Sequence, residues 1–337
     1  NNQVLINADY FIKETDDILI PVPPTPSTGV RGGNNSPTLN VGSVRNQGLE
    51  LALTYRKSVG DLQYSITGNL ATLDNEFLSL GGGQPITSGN VNVTRVTRID
   101  EGLPIGSFFG FRTDGIFQTQ EEVEAHADQA NAEPGDIRFV DQLTVDTDGD
   151  GVPDATDGVI NSDDRVYIGD PIPDLTYGLS INASYKGFDL NAFIQGVQGI
   201  ELYYGYRYFA EGMLRPFNFE KRTLNRWTGP GTSDEIPRAI GGDPANNARE
   251  SDRFIGDGSF LRMRNLTLGY TVPFEALENF GNGFLSNVRI YATAQNLFTI
   301  TGYEGYDPEI GSQNQNPDQA SRGRGIDNGQ FPQARTY

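Results

Sequence analysis

From Leu175 the chain alternates through two arms set back to back. Leu175, Tyr177, Leu179, Ile181, Ala183 and Tyr185 interleave with Thr176, Gly178, Ser180, Asn182 and Ser184, and after Lys186-Gly187 the pattern resumes with Phe188, Leu190, Ala192 and Ile194. A period of two, apolar on one face and polar on the other, predicts antiparallel strands. Each arm runs about ten residues, longer than the ~5 to 6 of an ordinary globular strand and close to the ~9 to 11 that a tilted strand needs to cross a bilayer. The same reading along the chain gives strands at 3–13, 44–58, 61–74, 174–186, 188–198, 259–272 and 286–299.

Their connections alternate in length. Short turns fall at Gly60 and Gly187, with a modest one from Pro273 to Leu285; the links Glu14 to Ser43, Asn75 to Pro173, Gly199 to Gly258 and Ile300 onward are long. Structureless loops beyond ~12 to 15 residues are uncommon in compact domains, whereas membrane barrels carry short turns on one rim and long loops on the other. Tyr55, Tyr64, Tyr185, Phe188 and Tyr270 stand near the short turns on the apolar faces, as an interfacial girdle would. The expectation is an all-β chain, part of a large antiparallel transmembrane barrel, with 75–173 as a long extracellular loop region. A competing reading is a secreted or surface β-sandwich adhesin with calcium-stiffened loops, in which the apolar strand faces form an interior core; the regular ~8 to 12 residue strand spacing of sandwiches is missing. Inside the longest link, Gln118 to Asn131 predicts a short surface helix, and 21–37, rich in Pro, Gly and Ser, predicts a mobile loop.

Composition modifies this picture at a few points. Hydrophobic residues make up 36% of the 337, below the ~45 to 50% of typical globular chains, which a barrel with a wet lumen and aqueous loops tolerates. No run approaches the ~18 to 20 apolar residues of a membrane helix, so spanning falls to strands. Cysteine is absent, excluding disulfides, thiolate metal sites and Cys nucleophiles. The net charge of -19 argues against nucleic-acid partners, whose phosphates need basic neutralisation. The first residue is not Met and the opening residues already alternate, so the chain is expected to begin partway through a larger protein.

The sharpest chemical motif runs from Asp146 to Asp157. Asp146, Asp148, Asp150, Asp154 and Asp157 stand at loop positions 1, 3, 5, 9 and 12, with Gly151 at 6 and the Val152 carbonyl at 7, the spacing with which an EF-hand type of loop surrounds Ca2+. A solvated acidic turn is the alternative. Asp157, Asn161, Asp163 and Asp164 form a second cluster that extends or shares the site. The run Tyr203, Tyr204, Tyr206 and Arg207 offers rings and a guanidinium to a polar substrate, or packs within the loops. Catalysis finds little support: His126 is the only histidine and reads as a solvated helix residue, and Gly81-Gly82-Gly83 lacks the Lys and helix start of a phosphate loop.

Ordered stretches over nearly the whole chain resemble the C-terminal part of SusC-like (RagA/SusC type) TonB-dependent outer-membrane transporters. They include Glu101 to Gly110 (EGLPIGSFFG), Asp114 to Gln118 (DGIFQ), Pro134 to Phe139 (PGDIRF), Asp164 to Pro171 (DRVYIGDP), Ser251 to Phe254 (SDRF), Phe260 to Tyr270 (FLRMRNLTLGY), Gln295 to Thr301 (QNLFTIT) and Gly305 to Glu309 (GYDPE). The resemblance implies the C-terminal portion of a plugged barrel of about 22 strands in the outer membrane of a Gram-negative bacterium, lipid around its wall. It implies a SusD-like surface lipoprotein over the loops, TonB engaged through an N-terminal part absent from this chain, as is the plug, and glycan, oligosaccharide or peptide cargo without covalent chemistry. The acidic loop is longer than the family's usual Asp-Gly run, so calcium rests on spacing alone.

Overall fold

The computed structural model describes residues 3–21, 37–81, 84–273, 275, 277, 287–312 and 320–337. The segment read as a mobile loop lies, except for its end residues, outside the described residues, as do Gly82 and Gly83. Seven long strands form one antiparallel sheet in chain order: β1 (Val4–Pro21), β2 (Thr38–Val59), β3 (Leu62–Thr72), β4 (Leu175–Tyr185), β5 (Phe188–Gln198), β6 (Phe260–Thr271) and β7 (Arg289–Gln295). The tight turns follow local chemistry. Gly60 takes φ 58°, and Lys186 and Gly187 take φ 47° and 84°, the left-handed values that match a two-residue turn to the strand twist. At the far edge Thr336 exchanges backbone hydrogen bonds of 2.8 and 3.2 Å with Gln295, extending the pairing beyond β7.

Register places the apolar positions in rows across the wall. Val4, Tyr55, Ile66, Ile181, Ala192, Leu266 and Ala294 stand side by side on the seven strands. At the turn rim the row is Val59, Leu62, Tyr185, Phe188, Tyr270 and Ile290. The aromatics predicted there meet as pairs, Tyr55 with Tyr64 at 5.9 Å and Phe188 with Tyr270 at 4.5 Å. On the same face Ile6 is 63% exposed, Leu268 56% and Ile290 67%, where a sandwich would bury them. The opposite face is polar: Thr54 and Thr67 share a hydrogen bond of 3.0 Å, Thr267 and Thr293 one of 2.9 Å, and Asn265 donates to Asn191 at 2.9 Å.

The strands depart from expectation in two ways. β1 and β2 are 18 and 22 residues long, roughly 60 and 70 Å at ~3.3 Å per residue, about twice the ~30 Å hydrocarbon thickness. Their outer halves stand clear of any bilayer, and the polar segments Glu14 to Asp17 and Asn40 to Gln47 belong to strands. The second departure is a bulge: Phe193 pairs Asn265 but Ile194 pairs Met263, leaving Arg264 without a partner. Simple alternation would put Arg262 and Arg264 on the face of Leu266 and Leu268. The extra residue shifts the phase, so Met263 stays on the apolar side while Arg264 donates to Gln195 on the polar side at 2.8 Å.

The long links fold into a second body at the other end of the strands. Phe108, Phe117, Phe139 and Ile326 are fully buried there. One cluster gathers Val91, Val96, Phe108, Ile168, Tyr203, Phe254 and Ile326 from distant parts of the chain; another gathers Phe111, Ile116, Ile137, Phe139 and Ile160. The predicted helix is a single turn, Gln120–Glu124, capped by Thr119, whose side chain accepts from the Glu122 N–H. His126 lies beyond it and is not the solvated helix residue expected. Its ring packs edge-on to Phe117 at 5.2 Å and Nε2 bonds the Phe139 carbonyl at 2.8 Å.

Candidate functional site

The acidic loop rides on a small ribbon, Leu143–Val145 paired with Ala155–Thr156. Gly149 and Gly151 take φ 79° and 90°, so the chain curls around Asp146, whose carboxylate accepts their N–H groups at 2.7 and 2.8 Å. Those two bonds, Gly151 first, hold the Asp146 carboxyl below the usual range. Asp148 accepts from the Asp150 N–H at 3.2 Å and Asp150 from the Val152 N–H at 2.8 Å. Carboxylate oxygens of Asp146, Asp148 and Asp150 lie within 4.8 Å of one another, the hard donors that Ca2+ takes. Asp154 and Asp157 are engaged elsewhere. Asp154 accepts from the Thr147 hydroxyl and N–H at 2.7 to 2.9 Å, and Asp157 from the Val159 N–H and Asn161 amide at 2.9 Å. In the second cluster the buried Asp164 accepts from the N–H groups of Gln142 at 2.7 Å and Asn161 at 2.8 Å and shapes a turn.

The tyrosine run is drawn inward. Tyr203 and Tyr204 are 2% and 3% exposed, Tyr203 against Phe108 and Phe254, Tyr204 stacked on Tyr303 at 5.0 Å with Tyr206 edge-on at 5.9 Å. The buried Arg207 lies 3.9 Å from the Tyr204 ring centroid and pairs with Glu211 at 3.0 Å and with Glu304. Burial alone would lower its pKa, but Glu211, Tyr206 and Glu304 together outweigh it and the guanidinium is held up. Tyr203 and Tyr204 therefore hold the loop core together instead of presenting free rings.

One charged constellation escaped the sequence reading. Arg262, 1% exposed, donates to Asp307 at 2.5 Å, Glu309 at 3.0 Å and the Thr299 hydroxyl at 2.9 Å, and Arg264 pairs with Glu309. Asp307 also accepts from the N–H groups of Glu309 and Gln333 at 2.9 Å. This latch fastens 303–311 and the chain near Gln333 to the polar face of the wall. The phase reversal at Arg264 was its only trace in the sequence.

A family model described as "TonB dependent receptor-like, beta-barrel" matches residues 1–297. The chain belongs to this TonB-dependent receptor β-barrel family. TonB-dependent receptor P3 of Formosa agariphila is 31% identical over 100% of this chain and 32% of its own length; TonB-dependent receptor SusC of Bacteroides thetaiotaomicron is 27% identical over 100% and 30%. The solved RagAB peptide importer in its closed-closed state superposes with a TM-score of 0.73 at 25% identity, covering 99% of this chain and 33% of that one. The chain thus spans about a third of the length of these relatives. It is a SusC-like portion of an outer-membrane TonB-dependent receptor barrel, and its apolar rows form the wall that such a barrel turns to lipid.

Proposed function

We propose that the protein to which this chain belongs imports a polymer fragment, an oligosaccharide or a peptide, across the outer membrane in a TonB-dependent manner. The observation that carries this reading is the register: apolar rows crossing all seven strands on one face, polar side chains on the other, and folded loops gathered at one end. Such a wall separates lipid from a wet lumen, and the relatives named as receptors and as an importer supply the direction. The loop body faces outward, where a SusD-like lipoprotein covers it. Asp146, Asp148 and Asp150 hold Ca2+ in the weak range of ~0.1 to 1 mM typical of extracellular modules, the Val152 carbonyl adds a ligand, and Asp154 and Asp157 join only after giving up their present hydrogen bonds.

Two measurements on the intact protein test this. Labelled oligosaccharide and peptide pools are offered to cells with and without functional TonB, and uptake dependent on both the transporter and TonB is expected. Uptake indifferent to TonB overturns the reading. Detergent extraction of outer membranes is expected to recover the transporter with a surface lipoprotein; recovery alone removes the partner from the proposal.

A further inference from the structure

A cavity of about 410 Å3 opens beside Tyr204 in the loop body. Its deeper lining carries Arg207, Arg222, Arg253 and Glu211, and its exposed rim Asp234, Glu235, Asp257 and Glu304. Asp252 also borders it, but that carboxylate already accepts from the Thr113 N–H at 3.1 Å and hydroxyl at 2.6 Å. Glu211 is likewise committed, to Arg207 at 3.0 Å and Arg222 at 3.2 Å. Glu304 closes the same pair of arginines from the rim.

Arg253 is left over. Among the described residues no carboxylate lies within ion-pair distance of it, and its guanidinium rests 5.6 Å from the Phe254 ring centroid. Burial pulls its pKa below the ordinary arginine value; Glu211 opposes this, and Arg222 and Arg207 add to it. The half-buried guanidinium keeps its charge, and the cost of its partial desolvation stays uncompensated until an anion arrives. The planar fork of arginine matches a carboxylate with two parallel hydrogen bonds.

We propose that this cavity is a subsite for one carboxylate group of the cargo, received by Arg253 with Arg222 beside it; the assignment rests on the import reading above. The acidic rim sets the remaining chemistry. A chain of closely spaced anions is repelled at the mouth, whereas a lone carboxylate followed by hydroxyls or an ammonium meets acceptors there. A terminal uronic acid of an oligosaccharide and the carboxylate of a peptide both satisfy this description.

The test is calorimetric titration of the full-length transporter with paired probes: an oligosaccharide ending in one glucuronate and its methyl ester, and tetraglycine and its amide. In at least one pair the free acid is expected to bind about tenfold or more tightly than its capped form, and the responding pair identifies the source. Arg253→Gln is expected to erase that preference by weakening the free acid far more than the capped form, and Arg253→Lys to retain part of it. Equal affinity for free and capped probes, no binding of any probe, or a preference that survives Arg253→Gln overturns the subsite. Because the capping comparison uses the unaltered protein, it stands even where a variant misfolds. Uptake is scored separately: TonB-dependent import without carboxylate preference removes the subsite alone, and loss of TonB dependence removes the import reading alone.

Discussion

The strand wall and the loop body draw on similar apolar residues and place them oppositely. On the wall Ile6, Leu268 and Ile290 point out and are exposed; in the loop body Phe108, Phe117 and Phe139 point in and are fully buried. The wall's partner is lipid, which asks for an outward apolar band and internally satisfied backbone. The loop body meets water and must build a core like any soluble domain. It does so without long regular strands, using clusters and buried ion pairs that join remote segments. Asp136, fully buried, takes Arg238 at 2.9 and 3.0 Å and the Asn247 amide at 2.9 Å.

The contrast breaks most sharply in the loop core. Phe139→Ala removes a fully buried ring and is expected to cost the loop body about 3 to 5 kcal/mol. Limited proteolysis should cut 100–250 while the wall keeps its detergent-resistant strand signal; simultaneous loss of both would show that wall and loops fold as one unit. On the wall the polarity of the experiment reverses. Ile181→Arg, on the apolar side, is expected to destabilise the inserted barrel by about 2 to 4 kcal/mol, the cost of a mid-bilayer arginine. Ser180→Arg, one residue away on the polar side, should cost far less. Equal urea midpoints for the two in lipid would remove the assignment of faces.

A smaller effect probes the latch that crosses from wall to loops. Burial would raise the Asp307 pKa, but the N–H groups of Glu309 and Gln333, together with Arg262, outweigh it and hold the carboxyl below its ordinary value. A depressed carboxylate contributes stability that is complete above its unfolded pKa of about 3.9 and is lost as pH falls through the lower folded value. Amide exchange in 303–311 should therefore accelerate below about pH 4 relative to the neighbouring wall, after correction for the intrinsic rate. In Asp307→Asn the segment should be loose at every pH. An unchanged acid profile in that variant would assign the effect to another group.

Legibility in the sequence followed the same division. The wall could be read because a lipid-facing strand repeats its constraint every second residue, so Leu175 to Ile194 announced two strands and their turn. Beyond the membrane the lipid constraint ends, the outer halves of β1 and β2 pack Ile18 and Val44 against Phe77, Leu80 and Ile99 instead, and they became visible only through their pairing. The latch showed only as a break of phase in mid-strand at Arg264, because Asp307 and Glu309 lie 45 and 47 residues from Arg262. In the loop body the decisive contacts lie far apart in the chain, as between Asp136 and Arg238, 102 residues apart, and no local pattern encodes them. Thus Tyr203, Tyr204 and Arg207 looked available in a tyrosine-rich run and proved to be interior once Phe254, Tyr303 and Glu304 closed around them.

In the acidic loop local spacing brings Asp146, Asp148 and Asp150 together, because the hydrogen bonds that shape their turn span only a few residues. Asp146, Asp148 and Asp150 are exposed, and among the described residues their hydrogen bonds stay within their own turn. Removing them should therefore be nearly silent in the structure. Asp148→Ala combined with Asp150→Ala is expected to abolish calcium binding in a titration of the intact protein while leaving the proteolytic pattern and the urea midpoint of the wall unchanged. A calcium titration unaltered by the double change would dispose of the site. Destabilisation of the loop core by the same change would mean that the turn supports the body that carries it, and the separation between an inward-built loop body and a locally built ion loop would fail.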